Sequence, residues 1–269
     1  MNKHNGDSGA NGVNFTLVGR EIEARDGETI WQAAARHGTD IPHLCYRDSD
    51  GYRADGNCRA CMVEIEGERI LAASCIRTPT DGMVVNSDNH RAKNARKMVM
   101  ELLVADQPPR ATSHDPDSEL WRYAESQQLD AARFPAKPAV APDDSHPAIA
   151  VNMDACIQCN LCVRACREVQ VNDVIGLAGR GADARIVFDF DDDMGASTCV
   201  GCGECVQACP TGALMPKTLL DSDQALAITP DRQVDSVCPY CGVGCQLTFS
   251  VKDETIVAVS WTRRQWSRP

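Results

Sequence analysis

Two runs of cysteine define the chemistry open to this chain. Residues 156–166 read C-I-Q-C-N-L-C-V-R-A-C and residues 199–210 read C-V-G-C-G-E-C-V-Q-A-C-P. Each is C-x2-C-x2-C-x3-C, the spacing with which a tight loop sets three thiolates on one cubane cluster while the fourth cysteine, carried onward by a helix, reaches the neighbouring cluster. The duplication predicts crossed ligand sets: Cys156, Cys159, Cys162 and Cys209 for one [4Fe–4S] centre, and Cys199, Cys202, Cys205 and Cys166 for the other. Gly201 and Gly203 keep Cβ atoms away from inorganic sulfide in the second loop, and Pro210 stops its helix; Arg167 stands where the first run would carry that proline. Structural zinc wants two C-x2-C pairs held apart and gives no reason for a duplicated rhythm. Disulfides fit worse, because the count of 15 cysteines is odd and no secretion signal precedes them.

Seven cysteines remain. Cys45, Cys58, Cys61 and Cys75 follow C-x12-C-x2-C-x13-C, a long loop with a last ligand from a distant strand. Four thiolates in that order suit [2Fe–2S], although on spacing alone a zinc site stays open. Cys238, Cys241 and Cys245 form C-x2-C-x3-C with Gly242 and Gly244. No fourth cysteine accompanies them, so they predict an incomplete third [4Fe–4S] site, either partly filled or simply capping a hairpin. No Rossmann glycine fingerprint, P-loop or flavin site is present, and no residue is assigned a catalytic role.

The elements that must position these thiols follow from periodicity. Val13, Phe15 and Leu17 alternate, Gly19 turns and Glu21 to Ala24 returns, which predicts a hairpin. Thr29 and Gln32 form a capping box that opens a short helix through Ala35, closed by Gly38. Met62 to Ile65 and Ile70 to Ser74 predict two further strands around Gly67, with Trp31 in the core. Asp88 to Ala105 predicts a helix whose buried stripe is Ala95, Met98, Val99, Leu102 and Leu103. Four prolines between Ala131 and Pro147 predict an extended surface linker. A hairpin is expected over Asp173 to Phe190, ending in a solvated turn at Asp191, Asp192 and Asp193, and a strand over Gln246 to Val251.

Length and composition bound the rest. At 269 residues the chain suits two or three small domains, and with 5% aromatic residues their cores are expected to lean on clusters. A net charge of −11 argues against nucleic acid as a partner. No apolar run approaches the ~20 residues that span a bilayer, and Met1 to Asn14 lacks a leader pattern, so a cytoplasmic, reducing setting is expected.

The strings Pro42-His-Leu-Cys45-Tyr and Gly56-Asn-Cys58-Arg-Ala-Cys61-Met-Val-Glu64 resemble the [2Fe–2S] domain of the large iron–sulfur subunit of respiratory complex I. The same domain occurs in NAD-reducing hydrogenases and in the α subunit of cytoplasmic NAD-dependent formate dehydrogenase. That resemblance implies [2Fe–2S] rather than zinc at Cys45, Cys58, Cys61 and Cys75, with His43 a packing or hydrogen-bonding residue. In complex I and most of its relatives a His-x3-Cys-x2-Cys-x5-Cys cluster follows the helix ending near Ala105. Here no cysteine lies between Cys75 and Cys156, so that cluster is expected to be absent. His114 then reads as a surface residue, and Trp121 and Tyr123 as packing on a short helix.

Cys238-Pro-Tyr-Cys241-Gly-Val-Gly-Cys245 resembles the opening of the molybdopterin-binding domain of formate dehydrogenases and periplasmic nitrate reductases. A fourth cysteine is expected there beyond the next strands, and the string Trp261 to Pro269 does not match the loop that would carry it, which reads as a portion cut short. The chain is thus expected to be α+β: a β-grasp [2Fe–2S] ferredoxin domain (12–87), a helix and proline-rich linker (88–147), a two-cluster [4Fe–4S] ferredoxin-like domain (148–218), and the start of a molybdopterin-oxidoreductase [4Fe–4S] domain (234–260). The resemblance implies a relay between a molybdenum or tungsten pterin site for formate and a flavin/NAD-binding β (and γ) subunit, not catalytic alone. Two other readings are a stand-alone relay subunit of an NAD-reducing hydrogenase or complex I-like enzyme, which would have no use for Cys238, Cys241 and Cys245, and a zinc-stapled interaction protein, which would be colourless rather than brown.

Overall fold

A computed structural model describes residues 12–129, 132–220 and 228–261. The chain divides into two compact units, one formed by residues up to Ala105 together with Tyr123–Pro135, the other by Asp106–Arg122 together with the residues from Ala136 onward.

In the first unit, β1 (Val13–Leu17) and β2 (Arg20–Ala24) pair antiparallel through a two-residue turn at Val18 and Gly19, both at positive φ. The alternation in β1 sends Phe15 and Leu17 into the core. Helix α1 (Ile30–Arg36) opens on the expected capping box: the Gln32 amide donates to Thr29 Oγ1 at 3.2 Å and the Thr29 amide to Gln32 Oε1 at 3.0 Å. Two of the four orphan amide donors of the first turn are thereby satisfied. Strands β3 (Met62–Ile65), β4 (Ala72–Ala73) and β5 (Val84–Asn86) complete a mixed sheet in the order β2-β1-β5-β3-β4, with β1 and β5 parallel. β4 is shorter than the predicted Ile70 to Ser74, because only Ala72 and Ala73 pair with β3.

Helix α2 (His90–Ala105) forms where expected but buries a different face. Met98 and Leu102, predicted to be core, are exposed, whereas Ala92, Arg96, Met100, Glu101 and Val104 are buried. The cause is polar. Arg96 donates to the carbonyls of Met62 and Ser87 at 2.9 and 2.6 Å, and Glu101 receives the Arg133 guanidinium at 2.5 and 2.7 Å. Those bonds cover the cost of burying two charged side chains, so a stripe drawn from apolar residues alone pointed the wrong way.

The second unit begins with 106–122, part of the stretch where the relatives would carry a further cluster. His114 is 1% exposed, which corrects its reading as a surface residue. The segment lies against the turn after Cys209: the Leu120 amide donates to Pro210 O at 3.3 Å, and a Cβ on Gly212 would come within 2.6 Å of Asp115 Cβ. Helix α3 (Glu119–Ser126) carries the buried Leu120 and Trp121. Residues 133–142 are exposed, as a linker should be, but Asp143 pairs with Val151 and His146 is buried, so the linker ends sooner than predicted.

Two short ladders frame the cysteine loops: β6 (Ile149–Val151) with β9 (Leu214–Pro216), and the expected hairpin β7 (Ile175–Ala178) with β8 (Arg185–Phe188). Helices α4 (Leu161–Arg164) and α5 (Glu204–Ala208) start inside the loops. A three-stranded antiparallel sheet follows, β10 (Arg232–Val237), β11 (Gln246–Lys252) and β12 (Thr255–Trp261). β10 is a strand not expected from the sequence. All six of its residues are exposed, so backbone pairing with β11 rather than burial makes it a strand. Residues 262–269, most of the string that begins at Trp261, lie outside the described residues.

Candidate metal centres

Four thiols meet in the core of the first unit. Cys45, Cys58, Cys61 and Cys75 are between 0% and 7% exposed, and Cys61 and Cys75 belong to the same apolar cluster as Phe15, Ile30 and Val63. The sulfurs of Cys61 and Cys75 are 3.4 Å apart; Cys45 accepts S–H bonds from Cys58 and Cys75 and the Cys58 amide at 3.4 Å. Those donors hold the Cys45 thiol far below its usual range, and Cys75 likewise draws Cys61 down to about 7. The donors themselves, Cys58 and Cys75, are raised, first through these same bonds and then by burial. Beside the site, His43 packs on Trp31 at 4.3 Å and its Nδ1 lies 3.3 Å from the Tyr123 hydroxyl, a packing and hydrogen-bonding role as expected.

In the second unit the two duplicated loops share a backbone. Gln158 and Asn160 have φ of 54° and 63°, and the equivalent Gly201 and Gly203 have 67° and 76°. The left-handed turn is therefore demanded by the motif; glycine adopts it without strain in the second loop, while the first tolerates side chains there. A Cβ on Gly203 would meet nothing within 4 Å, so backbone conformation, rather than close approach by other protein atoms, accounts for that glycine. In both loops the amide two residues on donates to the first sulfur at 3.4 Å: Gln158 N–H to Cys156 Sγ and Gly201 N–H to Cys199 Sγ. Amide donors of this kind stabilise a thiolate and tune any cluster it holds.

The loops exchange their last cysteines. Cys156, Cys159, Cys162 and Cys209, together with Ile157, Ile186 and Leu214, line one cavity. Cys209 stands just beyond α5, not on it, in extended conformation. Cys166 stands on a π-turn after α4, where its sulfur accepts the Val174 amide at 3.3 Å; burial is the main cause that raises Cys199 and Cys205, with neighbouring thiols, Cys166 among them, adding to it. Burial lifts Cys156 to about 11 and Cys162 well above its usual range.

These observations fit clusters. Buried thiols crowded together resist ionising, and positive charge shared among them, which iron supplies, is what turns such a group into thiolate ligands. Among the described residues no group of His, Cys, Asp and Glu closes around a single metal ion. Cys238, Cys241 and Cys245 differ from the other sets. They stand on the β10–β11 turn, closed by the Cys238 amide on Cys245 O at 2.8 Å, with Cys241 exposed and Tyr240 and Val243 bare beside it.

Sequence reading missed three neighbours of the loops. Arg164 is 2% exposed and donates to Cys159 O at 3.3 Å; Asn172 Nδ2 lies 4.0 Å from Cys202 Sγ; His146 packs beside Gly201. A charged residue set between two cluster cysteines was the one available signal, for Arg164.

Comparison with known proteins agrees with this layout. Residues 10–90 match the family described as 2Fe-2S iron-sulfur cluster binding domain, residues 155–213 the 4Fe-4S dicluster domain, and residues 231–266 the Molybdopterin oxidoreductase Fe4S4 domain. An NADH-quinone oxidoreductase subunit of Rhizobium meliloti (strain 1021) is 32% identical over 94% of this chain and 29% of its own length. NADP-reducing hydrogenase subunit HndD of Solidesulfovibrio fructosivorans is 34% identical over 82% of this chain and 39% of its own. A Staphylococcus haemolyticus (strain JCSC1435) protein, SH0748, whose naming as a formate dehydrogenase is itself provisional, is 25% identical over 91% of this chain and 28% of its own. The chain thus spans well under half the length of these relatives. A chain of the NAD+-reducing [NiFe]-hydrogenase, in a crystal structure of the H2-reduced state, superposes with a TM-score of 0.69 at 29% identity, over 76% of this chain and 87% of that one. Among the described residues no helix is long and apolar enough to cross a membrane. With a [2Fe–2S] domain, a [4Fe–4S] dicluster domain and the start of a molybdopterin-oxidoreductase Fe4S4 domain in that order, the chain is similar to the iron–sulfur region of NADH-quinone oxidoreductase and hydrogenase subunits.

Proposed function

We propose that this chain relays electrons between a molybdenum- or tungsten-pterin formate site, carried outside these residues, and a flavin-bearing NAD subunit of the same cytoplasmic assembly. When bound, one [2Fe–2S] and two [4Fe–4S] clusters supply the one-electron chemistry. Cys45, Cys58, Cys61 and Cys75 hold the first; Cys156, Cys159, Cys162 and Cys209 hold the second; Cys199, Cys202, Cys205 and Cys166 hold the third. The chain's own work is to fix these thiolates, donate amides to their sulfurs and keep water out. The observation that carries the reading is the cavity in which Cys209 joins the three cysteines of the other loop.

Formate rather than hydrogen is favoured by Cys238, Cys241 and Cys245 within the stretch 231–266, since a stand-alone relay has no use for a pterin-proximal motif. The second reading is such a relay in an NAD-reducing hydrogenase, favoured by the match over 87% of the hydrogenase chain. Anaerobic reconstitution should give about ten irons per chain. Cys209→Ser should then lose about four of them together with the EPR signal of the Cys156 set, leaving the Cys199 set intact; the reverse loss refutes the crossed ligands. Within its native assembly, formate should reduce the clusters. Reduction by hydrogen or NADH but never by formate selects the stand-alone relay.

A further inference from the structure

The stretch that joins the π-turn to β7 is held in a costly backbone conformation. Val171 and Asp173 have φ of 55° and 56°, a left-handed region that side chains enter at a penalty, most of all a β-branched one. Val171 recovers nothing by burial, since it is 80% exposed. The compensation is polar and points at cysteine. The Asn172 amide donates to Cys166 O at 2.9 Å, the Val174 amide to Cys166 Sγ at 3.3 Å, and Asn172 Nδ2 to Cys202 Sγ at 4.0 Å. Arg167 pairs with Asp173, so the residue that stands in place of the first run's proline tethers this turn.

Cys166 belongs to the first cysteine run and Cys202 to the second, so Asn172 and Val174 reach two ligands of one expected cubane from opposite loops. The direction of the side-chain bond is fixed by chemistry. An amide nitrogen donates and never accepts, and a cysteine that ligates iron has no proton to give, so the N–H of Asn172 runs toward sulfur. Among the described residues Cys202 Sγ is the only hydrogen-bond partner of that side chain. Cys202 is exposed, and there a tethered amide takes a place that mobile water would otherwise fill.

We infer that Asn172 is a hydrogen-bond donor to the ligand sulfur of Cys202 and helps set the reduction potential of the cubane held by Cys199, Cys202, Cys205 and Cys166. The inference rests on the crossed ligand sets of the proposed function. An electron arriving there adds one negative charge, part of it on the ligand sulfurs, with no bond broken and no proton moved. An N–H aimed at one of those sulfurs favours the reduced form and raises the potential. At 4.0 Å the bond is long beside the 3.3 and 3.4 Å of the backbone donors, so a modest effect is expected.

Asn172→Leu tests this in the full chain, because leucine is close to asparagine in size and has no N–H to offer. Expected are unchanged iron content and a roughly threefold shift of the one-electron equilibrium toward the oxidised form, about 28 mV at ~59 mV per tenfold, in the cubane whose EPR signal survives Cys209→Ser. Reduced wild-type protein carrying ¹⁵N in its asparagine side-chain amides should show a hyperfine coupling on that same cubane, and Asn172→Leu should lose it. Two loaded cubanes with unmoved potentials overturn the inference, as does a shift confined to the cubane that depends on Cys209. If the variant fails to load iron, the labelled wild-type protein decides: a coupling on the surviving cubane supports the inference and its absence overturns it. Failure of the ligand reading shows separately, in the parent chain, as Cys209→Ser removing the signal of the Cys199 set.

Discussion

The cysteines of the first unit and those at the tip of the β10–β11 hairpin put the same ligand atom to work under opposite conditions. Cys45, Cys58 and Cys61 come from the long α1–β3 connection and Cys75 from the turn after β4, and a shared core of Phe15, Ile30, Val63 and Val85 forces their sulfurs together with at most 7% exposure. Cys238, Cys241 and Cys245 are neighbours in sequence, brought together by one turn, with Val251 and Ser250 the buried residues of their sheet among those described. In the first case tertiary packing pre-organises the thiols; in the second only local backbone does. A site assembled by a core keeps its shape whether or not metal is present, whereas a site assembled by a turn depends on whatever covers it.

The largest effect expected from this contrast is on iron. Cys75→Ser should cost the chain about two irons and the [2Fe–2S] EPR signal, while both cubanes persist; retention of that signal would break the assignment of the core-built site. Thiol reactivity of the iron-free chain should differ next. Under native conditions Cys241 and its neighbours should be alkylated on the order of 100-fold faster than Cys61 and Cys75, as measured by mass spectrometry over time, because the latter react only after local opening. Equal rates would mean that the core is not formed without metal.

Smaller still is the capping box. Thr29→Ala should destabilise the first unit by about 1 kcal/mol, read as a lower unfolding midpoint for that unit with unchanged alkylation of the hairpin thiols. A change at both places would couple regions that the comparison treats as independent. The smallest effect is expected from replacing Cys238, Cys241 and Cys245 together by Ser. The spectra of the other three sets should be nearly unchanged. Loss of about four irons with one EPR signal would show that the turn-built site fills with only three cysteines, which would erase the contrast.

Most of the chemistry was legible in the amino-acid sequence because it is carried by local spacing. The duplicated C-x2-C-x2-C-x3-C rhythm, the β1–β2 alternation, the Thr29–Gln32 box and the β7–β8 hairpin each depend on residues a few positions apart, and each has its expected local form in the structure. Tertiary structure alone decided which face of α2 is buried, that His114 lies inside, and that the proline-rich segment ends by inserting His146 beside Gly201. At α2 and at the segment that carries His146, a polar group is buried because a distant residue meets it: Arg96 finds the carbonyls of Met62 and Ser87, Glu101 finds Arg133, and Asp143 and Ser145 find the amides of Met194 and Gly195. Apolar periodicity cannot anticipate such burial, since its free energy depends on partners that only the folded chain brings within hydrogen-bonding distance.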